Sequence, residues 1–320
     1  MAKLVVIDGP EKAGKTTLIA NLMLLLRALG KRSTVKHWST PNPKTFHSFI
    51  YRDWIAEAFD VSFYDVIIWD RSWVSEYVYP GLMPQLRSNK RVMWNDPWIG
   101  EWCFGRALST YGMGLILLGP SERQLEELRD DTDHNCPVFA ERERYEYYGN
   151  KFNWLTIANF HTTQSAQVIV DRIIEKLAAL DSVPMWLRPP IYCGPVDAKV
   201  VFMGEVPSSQ KTAKTWLPFT SKYTEMLGRE LGDKAFDYGW TNARTLVNSA
   251  KSVSYVEIGK FFSDKLVVAC GKFAADYCKM NGFDYYHISH PAFGFRWGQR
   301  VEEYKAAIQS LKNELAARSR

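Results

Sequence analysis

Nine consecutive residues constrain this chain more than anything else in it. Gly9-Pro10-Glu11-Lys12-Ala13-Gly14-Lys15-Thr16-Thr17 is a complete G-x-x-x-x-G-K-[ST] element. It follows a short apolar run, Leu4–Ile7, and precedes an amphipathic run from Leu18 to Leu29. Strand, glycine-rich loop and helix in that order are the context the element requires. Gly9, Ala13 and Gly14 let the backbone curl so that its N–H groups face phosphate oxygens. The N-terminus of the following helix adds its partial positive charge. Lys15 is expected on the β/γ-phosphates, the Thr16 hydroxyl on Mg²⁺, and Thr17 beside it. These residues imply a parallel α/β domain that binds a nucleoside triphosphate, with ATP and Mg²⁺ as cofactors.

The rest of the chain extends that pattern and then restarts it. Strand-like runs at Val66–Trp69, Leu115–Leu118 and Trp154–Ile157 alternate with helical stretches, as in a parallel sheet wrapped by helices. An amphipathic helix is expected over Thr163–Leu180. Residues 181–190 then contain Pro184, Pro189 and Pro190, which stop helix and strand alike and read as a linker. A second alternating unit follows. It has strands at Lys199–Met203, Leu266–Ala269 and Tyr286–Ile288, with helices at Lys272–Lys279 and Gln299–Ala317. The expected organisation is a first domain over 1–180 and a second α/β domain over 191–320.

Three function classes are disfavoured by composition. No apolar run approaches the roughly 20 residues of a membrane span, and no cationic, apolar leader opens the chain. Five cysteines without a C-x-x-C pair argue against a zinc site or a disulfide framework. Reduced thiols in a cytoplasm are the expectation (a host cytoplasm for a viral protein). The net charge of +5 lies wholly from residue 190 onward, where 18 Lys and Arg face 13 Asp and Glu. That asymmetry hints at a polyanionic partner for the second domain.

Asp70-Arg71-Ser72 follows the strand Val66–Trp69. A carboxylate at the end of a neighbouring parallel strand can hold Mg²⁺ or orient an acceptor hydroxyl, and the adjacent Arg71 can grip phosphate. With the loop, with this triplet and with the late strand and helix through Ser165–Leu180, residues 1–180 resemble the thymidylate kinase branch of P-loop kinases. The resemblance implies that Glu11 contacts a sugar hydroxyl of the acceptor and that Lys12 assists transfer from within the loop. It also implies a lid over Arg129–Tyr148 carrying Arg129, Arg142 and Arg144. One departure stands out. The branch follows its second strand with an Arg-Glu-Pro segment that grips the acceptor monophosphate, whereas this chain has His37-Trp38-Ser39-Thr40-Pro41.

The second domain carries Gly204-Glu205-Val206-Pro207, Pro218-Phe219, Trp240-Thr241-Asn242 and His290-Pro291-Ala292, in that order. The series resembles the uracil-DNA glycosylase superfamily. It implies a water-holding role for Glu205, stacking on a flipped base by Phe219, pyrimidine-edge reading by Asn242, and base and groove contacts by His290. Lys211, Lys214 and Lys222 flank the expected pocket. Phe293-Gly294-Phe295-Arg296-Trp297 offers an apolar wedge for a vacated stack. Departures are the missing iron–sulfur cysteines and the serines Ser208 and Ser209 where the family has an Asp.

A kinase core joined to a flipped-base reader resembles the viral 5-hydroxymethyluracil DNA kinases. It implies phosphorylation of that base's hydroxymethyl group, with DNA containing a modified pyrimidine as partner. Two other readings stay open: a thymidylate kinase fused to a glycosylase, and an ATP-gated DNA-binding protein. The oligomeric state is not legible.

Overall fold

Val5 and Ile7 alternate with Leu4 and Val6, yet all four are fully buried. A strand apolar on both faces belongs in the middle of a sheet covered on both sides. It is β1, Lys3–Asp8. The computed structural model describes residues 2–37, 64–82, 101–129, 136–158, 160, 163–182, 187, 191–205, 222–244, 246, 255–292 and 301–318. The chain divides into two compact units, Met1–Ser182 and Val183–Arg320.

In the first unit, β1 leads through the loop into α1 (Lys15–Ala28). There follow β2 (Ser33–His37), β3 (Val66–Asp70), α2 (Trp73–Leu82), a single π-helical turn (Glu101–Gly105) and α3 (Arg106–Tyr111). The unit continues with β4 (Gly112–Gly119), α4 (Glu122–Leu128), α5 (Val138–Lys151), β5 (Leu155–Ala158) and α6 (Thr163–Ala179). The five strands are parallel, in the order β2-β3-β1-β4-β5. Val5 and Ile7 enter a core with Leu18, Leu22 and Leu26 of α1 and with Ile169, Ile173 and Leu177 of α6. Each such side chain contributes roughly 1.5–3 kcal/mol on burial. Because the chain runs from β1 to one side and later returns to the other, the switch in direction falls at β1. Ligands of open α/β sheets bind in the crevice that such a switch leaves at the carboxyl ends of the strands.

The second unit is built on a similar plan. It contains β6 (Tyr192–Cys193), β7 (Val200–Gly204), α7 (Lys222–Leu231), β8 (Gly239–Asn242), α8 (Tyr255–Phe262) and β9 (Leu266–Cys270). It ends with α9 (Lys272–Asn281), β10 (Tyr285–Ile288) and α10 (Val301–Arg318). Strand order is β10-β9-β7-β8-β6, parallel except for the antiparallel edge strand β6. Val201, Met203, Val267 and Ala269 pack on Ile258, Phe262 and Tyr277. Phe202 and Trp240 of neighbouring strands stack with centroids 4.5 Å apart.

Three expectations need amendment. The stretch expected as a lid contains α5, a 14-residue helix with Val138, Glu141, Tyr145 and Gly149 buried. Its residues 138–148 are therefore part of the packed first unit. Leu187, placed in the linker by its prolines, is buried in the core of the second unit. Ser33–His37 was not among the expected strands. Its residues are exposed or half-buried because β2 lies at the sheet edge.

Candidate active site

The loop after β1 owes its shape to two glycines. Gly9 has φ +146° and a Cβ there would lie 2.1 Å from the Leu117 carbonyl oxygen. Gly14, at φ +92°, begins α1, and its Cβ would strike the Phe160 ring at 2.5 Å. No other residue satisfies both the left-handed backbone and the space. Lys12 also takes a positive φ, of +60°. Ala13 is buried, while Thr16 and Thr17 are exposed in the first turn of α1.

Lys15 is buried under the loop. Its ammonium donates to the carbonyl oxygens of Gly9 at 2.8 Å and Pro10 at 2.5 Å. Burial above all, and then the Arg71 guanidinium, lowers its pKa to about 8, while Asp8, Asp70 and Glu141 oppose the shift. Asp8, at the end of β1, is fully buried and accepts from the Gly9 N–H (2.9 Å), the Ser72 hydroxyl (2.7 Å) and the Ser75 hydroxyl (2.9 Å). Burial nevertheless pushes its carboxyl above the usual carboxylate range.

Parallel register brings Asp70 beside Ile7 on one flank and His37 on the other. One Asp70 oxygen, Oδ2, lies 2.8 Å from His37 Nδ1. The other, Oδ1, is buried with no hydrogen-bond partner among the described residues. A buried carboxylate oxygen left over at the end of the strand beside β1 fits the oxygen ligand set that Mg²⁺ takes. Arg71, at φ +76°, donates to Glu11 Oε1 and to the Tyr79 hydroxyl, each at 3.1 Å. The structure thus brings Glu11, Lys15, Asp70 and Arg71 around one loop.

The arginines expected on a lid are otherwise engaged. Arg129 pairs with the fully buried Glu141. Arg142 donates to the Pro120 carbonyl. Arg144 is half-buried on α5. Four residues the sequence did not single out complete the site: Asp8, His37, Tyr79 and Glu141. Only His37 had a local signal, since it opens the segment where the kinase branch carries its acceptor arginine. Tyr79 and Glu141 reach the loop through contacts that no local pattern encodes.

In the second unit, three of the residues singled out lie at or just after strand ends. Glu205 follows β7, Asn242 ends β8, and His290 follows β10 by two residues. Asn242 is 1% exposed, and its Nδ2 has no partner among the described residues. Burial holds the His290 imidazole below its usual pKa, with the Glu205 carboxylate working the other way. Its Nδ1 accepts from the Ala292 N–H at 3.1 Å. Glu205 Oε1 is taken up by the Arg244 guanidinium at 2.9 Å, and Arg244 lies 4.5 Å from the centre of the Phe273 ring. Phe219, Lys211, Lys214, the wedge 293–297 and the segment 38–41 lie outside the described residues, and of Lys222 only the backbone is described. A groove of about 770 Å³ opens at the other end of this sheet, lined by Lys199, Lys234, Lys312, Asp197 and Asp237. None of the expected site residues lines it. Among the described residues no His, Cys, Asp and Glu cluster forms a metal site, and no helix is long and apolar enough to cross a membrane.

No protein-family model matches the sequence, and no curated protein matches it. Among solved structures, it is similar to the YorR protein of Bacillus subtilis in complex with phosphorylated GDP. That similarity has 19% identity and a TM-score of 0.35, and it covers 56% of this chain and 96% of that one. The chain is mixed α/β, and its first unit, a five-stranded parallel sheet with a glycine loop at its switch point, is consistent with a P-loop-like domain.

Proposed function

We propose that the chain is an ATP-dependent phosphotransferase acting on the hydroxymethyl group of 5-hydroxymethyluracil in DNA, with the second unit holding the base. The observation that carries the transferase reading is the convergence of Lys15, Asp70, Arg71 and Glu11 on the loop at the sheet's switch point. The γ-phosphoryl moves in line from the β-bridging oxygen of ATP to the hydroxymethyl oxygen. The new P–O bond forms as the old one breaks, ADP leaves with the electron pair, and the hydroxyl proton passes to Glu11 or to solvent. Such a transfer is catalysed mainly by positioning and charge stabilisation. Lys15 exchanges its loop carbonyls for phosphate oxygens, while Arg71 and Lys12 offset the charge that develops on the transferring group. Thr16 and Asp70 would hold Mg²⁺, which supplies neutralisation of the phosphate charge when bound.

The acceptor side rests on Asn242. A buried amide without a partner costs about 1–3 kcal/mol, and a pyrimidine edge offers the paired hydrogen bonds that would satisfy it. Unstacking a duplex base costs roughly a few kcal/mol. The positive charge of this half of the chain suits a phosphate backbone. The exposed Arg244–Glu205 pair engages only Glu205 Oε1 and is worth about 0–1 kcal/mol, so the glycosylase alternative is decided by the test below.

The test uses γ-labelled ATP with four acceptors: DNA containing 5-hydroxymethyluracil, the same DNA with thymine, the same with uracil, and free dTMP. Label on the hydroxymethylated DNA alone is the expected result. Label on dTMP would replace this reading with a monophosphate kinase. Abasic sites in uracil DNA would restore the glycosylase, and ATP hydrolysis without a labelled acceptor would leave an ATP-gated binding protein.

A further inference from the structure

Behind the loop lies a buried polar relay that no local sequence pattern announced. Glu141, on α5, has no solvent exposure and yet stays close to four polar groups. Its Oε1 accepts from the Tyr79 hydroxyl at 2.7 Å and from the Glu11 backbone N–H at 3.3 Å. Its Oε2 accepts from Arg129 and from the Cys136 thiol at 3.7 Å. Tyr79, only 8% exposed, passes the connection forward by accepting from Arg71 Nη1 at 3.1 Å. Arg71 closes the ring by donating through Nη2 to the Glu11 side chain. Glu141 therefore holds the loop twice, once at the Glu11 backbone and once through Tyr79 and Arg71.

We infer that Tyr79 and Glu141 are positioning residues, which fix the Arg71 guanidinium and the Glu11 carboxylate against the phosphate loop without touching the nucleotide. The inference rests on the transferase reading above. Three features carry it. First, Arg71 sits at φ +76°, a conformation a non-glycine residue keeps only where its surroundings over-determine it. Second, two of the five guanidinium donors are fixed by Glu11 and Tyr79, which sets the plane in which the others are presented. Third, burial pushes the Tyr79 phenol up, so it remains a neutral hydroxyl that can donate to Glu141 while accepting from Arg71. A buried carboxylate satisfied on both oxygens is rigid, and a rigid anchor is what transfer chemistry needs. Displacing a catalytic group by about 1 Å can cost on the order of 10²-fold in rate.

The experiment is a double-mutant cycle on the full chain. Tyr79→Phe and Glu141→Gln are each made in the wild-type and in the Arg71→Ala background. Two quantities are read: the phosphoryl-transfer rate at saturating ATP, and the ratio of ATP to ADP affinity. Thermal stability is followed beside them. Tyr79→Phe is expected to lower the transfer rate ten- to a hundredfold in the wild-type background and less than threefold once Arg71 is gone. The ATP-to-ADP preference is expected to fall in parallel. Equal losses in the two backgrounds, following the loss of stability, would overturn the inference and leave the relay as ordinary core. Should the wild type bind ATP but transfer nothing, the transferase reading fails, and the affinity ratio through the same cycle still decides whether the relay acts on Arg71. Glu141→Gln keeps the shape but loses the charge that holds Arg129. If it folds poorly, Tyr79→Phe carries the test.

Discussion

Lys15→Met is the sharpest single perturbation of this site, because it should change the ligand-free fold little while destroying its use. Methionine nearly matches the lysine stem in volume and carries no charge. Burial lowers the Lys15 pKa from 10.5 to about 8. At 1.36 kcal/mol per pH unit, holding this ammonium in the folded state costs about 3 kcal/mol. Against that gain stand the buried Gly9 and Pro10 carbonyls, which lose a charged donor, at about 1.5–3 kcal/mol each. The two effects nearly cancel, and the expected balance lies between no change and a loss of about 2 kcal/mol in the first unit. ATP affinity should fall at least a hundredfold, since charge-assisted bonds to phosphate are lost. Proton linkage gives an independent arm. Below pH 8 the lysine is protonated in both folded and unfolded chains, so the burial cost is constant. Between about 8 and 10.5 the folded chain gives up the proton and the unfolded chain keeps it. The Lys15 contribution to stability must then rise with pH through that window, while Cys136 and the buried Tyr79 and Tyr145, whose pKa values burial raises, pull total stability down. The stability of wild type minus that of Lys15→Met should therefore rise through the window, because those opposing groups are common to both proteins. Calorimetry and ATP titration on both proteins measure all three effects. A variant destabilised by about 4 kcal/mol or more, or one that binds ATP within threefold of wild type, would refute the reasoning.

Two other substitutions test the geometry. Gly14→Ala puts a methyl at φ +92° and 2.5 Å from the Phe160 ring, so it should cost about 2 kcal/mol or more and abolish ATP binding, which urea unfolding and nucleotide titration would reveal. Asn242→Leu removes a buried amide whose Nδ2 has no partner among the described residues. The second unit should melt unchanged or higher, while affinity for hydroxymethyluracil DNA falls at least tenfold. A clear loss of stability would mean that the amide is structurally satisfied.

Much of the first unit was open to reading because its signals are local. The glycine loop, the strand before it and the helix after it interact within one stretch of chain, and their spacing fixes their geometry. Asp70 and Arg71 were legible for a related reason, since they end an apolar strand that had to lie in the same sheet. Edge strand β2 escaped because half-exposed residues need no apolar alternation. Whether the helix carrying Arg142 and Arg144 packs was not legible, because a charge-rich helix exposes most of its residues whether it packs or swings. Buried Glu141 and Tyr145 on α5 decide for packing, and their burial is a property of the neighbours.

The sequence by itself determined that a phosphate loop stands between a strand and a helix, that a carboxylate and an arginine end a neighbouring strand, and that a second α/β unit follows. These follow from local backbone preference and apolar periodicity. Tertiary structure alone decided that β1 occupies the switch point and that Asp70, beside His37, keeps a buried oxygen with no partner among the described residues. It also decided that Glu141 and Tyr79 anchor Arg71, and that Arg244 occupies Glu205. Those facts depend on which strands pair and which helices cover them, and burial and hydrogen bonding between residues distant in sequence are set only when the chain has closed.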